Sequence, residues 1–72
     1  MSIVNSFGAR LQKIRKESGL SQEKLAEISG LHRTYISSLE RGSRNPTLTT
    51  IQAIACALNV KISFLVTGIE DE

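Results

Sequence analysis

Residues 21–42 read SQEKLAEISGLHRTYISSLERG, and the reading of this stretch decides the fold. Ser21 is a helix-capping residue, although Lys24 stands where a glutamate would complete a capping box. Leu25 and Ile28 are expected to face inward, and Ala26 is small enough for close helix contact. Gly30 is a natural C-terminal stop. A second helix begins almost at once near His32 and ends at Gly42. Ile36 and Leu39, three apart, share its apolar face. With Ile36 at zero on a helical wheel of 100° per residue, Thr34 and Ser38 fall at about 160° and 200° and are expected to point away from the core. The stretch is thus two short helices joined by a tight turn at Gly30-Leu31. The second has an apolar inner face and a polar, basic outer face.

Outward from this unit the periodicity stays helical, with no alternating run long enough for a strand. On the N-terminal side a helix is predicted over residues 6–18. Phe7, Leu11, Ile14 and Ser18 share one of its faces, Arg10, Lys13, Lys16 and Glu17 lie elsewhere, and Gly19 stops it. On the C-terminal side a polar loop, Ser43-Arg44-Asn45-Pro46, precedes a helix capped by Thr47, because proline excludes helix at Asn45. Leu48, Ile51, Ala55 and Leu58 form its stripe, with Ile54 beside them and Asn59 as the stop. A fifth, short helix is predicted over residues 62–67, ending at Gly68. The fold class is all-α with five helices.

A chain of 72 residues makes one domain with a thin core. The domain is read as 1–72, its core about 6–68 and an acidic tail at 70–72. One cysteine, Cys56, excludes an internal disulfide framework, and with the single His32 it cannot build a zinc site. Cys56 lies off the apolar stripe, as a small interface or surface residue. No cofactor is expected. No run reaches the ~18 apolar residues of a membrane span, and the N-terminus is no secretory signal, so the chain reads as cytoplasmic. An enzyme is disfavoured: there is no Ser/His/Asp set, no paired carboxylates outside the tail and no glycine-rich phosphate loop. Aromatic residues make up 4% of the chain, too few for a base-stacking platform. Net charge is +2, but three of the seven acids are the last three residues, so residues 1–69 carry nine bases against four acids. Such a body can attract a polyanion.

Two helices with one tight turn and a basic outer face form a helix-turn-helix. An α-helix fits the DNA major groove, its N-terminal residues reach base edges, and the preceding helix crosses the backbone. Here the sequence resembles a known family. Ser21-Gln22-Glu23-Lys24-Leu25-Ala26, Gly30-Leu31 and Ile36-Ser37-Ser38-Leu39-Glu40-Arg41-Gly42 are similar to the phage-repressor and Cro-like (XRE) helix-turn-helix family. His32 through Ser37, with Glu40-Arg41-Gly42 and Arg44-Asn45, is similar to the controller proteins of restriction–modification systems, small dimeric regulators of about this length. The resemblance spans roughly residues 7–68 and implies a five-helix repressor-like DNA-binding domain.

Arg33 and Thr34 are the first outward residues of the second helix. Arg33 can donate two hydrogen bonds to guanine O6 and N7, and Thr34 can meet a base or a thymine methyl. Ser37 and Ser38 lie a turn further on, where Ser38 reaches a base or backbone or is plain surface. Tyr35, at the edge of the apolar face, is read as half core with its hydroxyl on a phosphate. Arg41, Arg44 and Asn45 can clamp phosphates, or serve only as a polar turn. The resemblance implies that Gln22 contacts a phosphate and braces the recognition helix. It also implies that Arg15 and Glu40 form a structural ion pair that locks the helix angle. His32 is a departure, since aspartate or threonine caps better.

The last predicted helix and its flanks hold Val60, Ile62, Phe64, Leu65, Val66 and Ile69. So short a helix cannot bury them all, and an exposed apolar patch marks a partner surface. The closed solution is a two-fold homodimer, with Ile62, Phe64 and Val66 as candidate contacts. The leading function is a sequence-specific, double-stranded DNA-binding transcription regulator acting as a homodimer on a near-palindromic operator, with RNA polymerase a further candidate partner. The alternative is an antitoxin-like module that neutralises a toxin. A protein binder would show leucine, methionine or aromatic residues on the outer face of the second helix; Arg, Thr and Ser stand there instead.

Overall fold

Three of the five helices among the described residues are started by a hydroxyl side chain accepting from the backbone N–H three residues on: Ser2 from Asn5, Ser21 from Lys24 and Thr47 from Thr50. Each satisfies one of the donors that a helix start leaves orphaned. In the computed structural model, which describes residues 2–69, the elements are α1 (Ile3–Glu17), α2 (Gln22–Ser29), α3 (Arg33–Glu40), α4 (Leu48–Leu58) and α5 (Ile62–Leu65). There is no strand among the described residues, so the chain is all-α. The tail at 70–72 lies outside the described residues.

One core serves all five helices. It takes Phe7, Leu11 and Ile14 from α1, Leu25 and Ala26 from α2, Ile36 and Leu39 from α3, Ile54, Ala55 and Leu58 from α4, and Leu65 from α5. The α2–α3 turn is set by Gly30, whose φ of 78° is left-handed backbone that suits glycine. The N–H groups of Gly30 and Leu31 both return to the Ala26 carbonyl, closing the helix end and turning the chain directly into α3.

Four expectations need correction. The first helix begins at Ile3, not Ser6, because Ser2 caps it. Ile28 is 49% exposed, not inward. The buried face of α2 is centred on Leu25 and Ala26, with Gln22 and Ser29 half-buried above and below. Ile28 lies about 110° from that centre on the wheel. Leu48 is 75% exposed, because as the first residue of α4 it extends past the core. The last helix closes at Leu65, and residues 66–68 form a turn.

Gly8 fixes the crossing of α1 on α3. A Cβ there would collide with the Leu39 carbonyl oxygen and stand 2.7 Å from that of Glu40. The two helices therefore touch backbone to backbone, and the tilt of α3 depends on a residue with no side chain.

Candidate nucleic-acid interface

The outer side of α3 and the loop after it carry three arginines. His32, Arg33 and Thr34 are exposed at the helix start, and Arg41, Arg44 and Asn45 are exposed beyond its end. Residues 28–69 contain one carboxylate, Glu40. Its side chain is 2% exposed and is held by Arg15, so the segment offers the arginines no exposed acid of its own. His32 starts α3 without a side-chain cap bond, leaving the first-turn N–H groups without that partner.

The structure brings four of the predicted residues into two pairs. The Arg44 guanidinium lies 5.3 Å from the centre of the Tyr35 ring, within cation–π range. Tyr35 itself is half-buried and packs on the core edge. Arg41 Nη1 donates to Ser37 Oγ at 2.6 Å, which orients both along one helix flank. Arg33 and Thr34 lie in the first turn of α3 beside Tyr35 and take part in neither pair.

Ser38 does not belong to this surface. It is 9% exposed, and its hydroxyl donates to the Tyr35 carbonyl at 2.7 Å. The reason lies beyond the helix. The chain doubles back at Gly42, and both the N–H and the hydroxyl of Ser43 bond the Ser38 carbonyl at 3.0 Å. That satisfies one of the orphan acceptors of a helix end and lays the loop over a residue that the wheel alone places outside.

Behind the surface, Arg15, Gln22 and Glu40 form one network. Arg15 Nε donates to Glu40 Oε2 at 2.5 Å, Arg15 Nη2 to Oε1 at 3.1 Å and Gln22 Nε2 to Oε1 at 3.0 Å. Arg15 Nη1 also donates to the Leu20 carbonyl at 2.7 Å. The bond to Glu40 raises the Arg15 pKa above its usual value, against the opposing effect of burial. The network ties α1, the following turn, the start of α2 and the end of α3. Gln22 thus contacts the recognition helix through Glu40.

On the far side, Ile62 and Phe64 are 38% and 48% exposed. Val66 is half-buried and packs on the core, and Leu65 is fully buried. Ile62 lines a shallow groove with Leu48, Thr49 and Gln52, so Leu48 extends this apolar patch although its sequence position reads as core. Cys56 is exposed on α4. Among the described residues no group of three or more His, Cys, Asp or Glu is placed to hold a metal, and no helix is long and apolar enough to cross a membrane.

Known proteins share this architecture. The helix-turn-helix family profile matches residues 11–65. The chain is 47% identical over 74 residues to control protein C.SmaI of Serratia marcescens, covering 100% of this chain and 88% of that protein. It is 52% identical over 56 residues to control protein C.BamHI of Bacillus amyloliquefaciens, covering 76% of this chain and 69% of that protein. The crystal structure of the restriction-modification controller protein C.AhdI from Aeromonas hydrophila matches with a TM-score of 0.84 at 45% identity, covering 86% of this chain and 94% of that one. With its paired short helices, glycine turn and arginine-bearing outer face, the chain belongs to the helix-turn-helix family.

Proposed function

We propose that this protein is a sequence-specific, double-stranded DNA-binding transcription regulator of the restriction–modification controller kind, acting as a homodimer. The observation that carries the reading is the outer face of α3 and its loop, where Arg33, Thr34, Arg41, Arg44 and Asn45 are exposed around a helix rigidly backed by the Arg15–Glu40–Gln22 network. In this reading α3 enters the major groove. Arg33 and Thr34 read base edges, while Gln22, Tyr35, Ser37, Arg41, Arg44 and Asn45 position the protein on phosphates. The relatives named as control proteins support the same function. The antitoxin alternative is not favoured, because α3 presents no large apolar anchor outward.

Ile62 and Phe64, with Val66 at the edge, form the surface for the second copy. A two-fold pair places the two α3 helices about 34–36 Å apart, one DNA turn, on a near-palindromic operator. RNA polymerase is a further candidate partner. Selection of bound duplexes from a random library tests the whole reading. The expected product is a two-fold symmetric site with half-sites one turn apart; an enriched pool without symmetry or sequence preference refutes it.

Three measurements separate the parts. Arg33→Ala is expected to weaken specific binding by about 1–3 kcal/mol and to relax preference at one base pair per half-site. A loss uniform across all sequences would assign Arg33 to the backbone instead. Arg44→Ala is expected to weaken specific and random duplex alike and to lower the salt slope by about one. Sedimentation at micromolar concentration is expected to show dimer; a monomer that binds single half-sites at full strength refutes the assembly.

A further inference from the structure

Arg10 lies on the helical face that the sequence pattern assigns to solvent, yet it is half-buried beneath α5. Its Nη2 donates to the Phe64 carbonyl at 2.7 Å, and its guanidinium carbon lies 4.6 Å from the centre of the Phe64 ring. One side chain therefore holds the backbone and the ring of the same residue. Its Nε is buried with no hydrogen-bond partner among the described residues, so the group is not placed there by its own complete satisfaction. α5 has four residues, one of them buried, and starts at Lys61 with no side-chain cap bond. So short a helix has no stability of its own. Its geometry depends on Leu65 in the core and on what grips it from α1.

We propose that Arg10 is the positioning residue of the dimer surface: it fixes α5 on α1 and presents the Phe64 ring outward to the second copy. The proposal rests on the dimer reading above. Phe64 is 48% exposed, and an exposed aromatic ring free to rotate would lose conformational entropy on association. A ring held from behind has lost it already. A second copy covering Phe64 also removes water from the guanidinium–ring contact, which strengthens it.

The test is sedimentation equilibrium on the full chain and its Arg10→Met, Arg10→Lys, Phe64→Leu and Arg10→Met/Phe64→Leu variants, with binding to a single-half-site duplex measured in parallel. Arg10→Met is expected to raise the dimer dissociation constant by about tenfold or more, with half-site affinity within about twofold of the unmodified chain, because α3 is not touched. Arg10→Lys is expected to fall between, since one ammonium cannot serve ring and carbonyl together. With leucine at position 64, the Arg10→Met change is expected to shrink below about threefold, the sign of coupling between the two residues. Dimerisation of Arg10→Met within about twofold of the unmodified chain overturns the proposal. So does an undiminished effect in the Phe64→Leu background, or a parallel loss of half-site binding. If Arg10→Met does not fold, Arg10→Lys carries the same criteria. An unmodified chain that stays monomeric to about 100 μM overturns the dimer reading itself, and that result is read without any Arg10 variant.

Discussion

Gly8→Ala is expected to destabilise the protein by about 2 kcal/mol or more, although alanine is the better helix former. The intrinsic gain from replacing glycine inside a helix is about 1 kcal/mol. Against it stands a methyl group driven into the Leu39 carbonyl and to 2.7 Å from the Glu40 carbonyl oxygen. Overpacking of this kind costs about 1–3 kcal/mol. Here the upper end applies, because both neighbours are backbone atoms and no rotamer change relieves them. Relief requires α1 and α3 to separate, which opens the core between Phe7, Leu11, Ile36 and Leu39. A net loss of 2 kcal/mol in a domain of this size lowers the melting temperature by about 8–16 °C. The same separation tilts the recognition helix, so the folded fraction is expected to bind its selected duplex more weakly than stability alone accounts for. Thermal unfolding and half-site binding check both parts. A melting temperature at or above that of the unmodified chain, as helix propensity alone demands, refutes the backbone contact.

The position of that contact shows where sequence reading stops. The α2–α3 turn is legible because its causes are local: a capping serine, apolar residues at helical spacing and a glycine in left-handed backbone. The outer placement of Arg33 and Thr34 follows from the same wheel. Ser38 is misplaced by that wheel because its cover comes from Ser43, a loop residue whose path is set by the turn at Gly42. Ile28 is misplaced because spacing from Leu25 gives a face but not its centre, which Gln22 and Ser29 define only once α3 and α4 are in place. Gly8 and Arg10 leave no local signal. One meets backbone 31 residues away and the other a carbonyl 54 residues away. In the sequence they read as a weak helix position and a solvated charge. Arg15 and Glu40, 25 residues apart, follow from family resemblance and not from spacing.

Arg15→Ala and Glu40→Ala are each expected to cost about 3 kcal/mol, the lower end for breaking a buried pair, since both groups lie near the rim of the core. Arg15→Ala leaves a carboxylate 2% exposed with Gln22 as its remaining side-chain donor. Glu40→Ala leaves a guanidinium with the Leu20 carbonyl and removes the acceptor of Gln22. A domain of this length has a total stability of about 4–11 kcal/mol, so either loss removes about a quarter to three quarters of it. Lys13 is exposed on the same helix, and Lys13→Ala is expected to stay within about 0.5 kcal/mol of the unmodified chain. The pair insulates stability from alkaline pH on the arginine side. The raised pKa of Arg15 means its contribution is complete below the ordinary arginine value and is lost only as pH rises beyond it. The double replacement Arg15→Met/Glu40→Leu separates stability from orientation. It removes both buried charges at once, so its cost is expected to be well below the sum of the single losses. Gln22 then has no partner on α3, and the recognition helix loses its tie to the start of α2. Specific binding is therefore expected to fall by about 1.5 kcal/mol or more, the lower end for a hydrogen bond to a charged group, even where the urea midpoint recovers. Urea midpoints for both single variants equal to that of Lys13→Ala would remove the pair from the fold's support. Full DNA affinity in the double variant would remove it from the setting of α3.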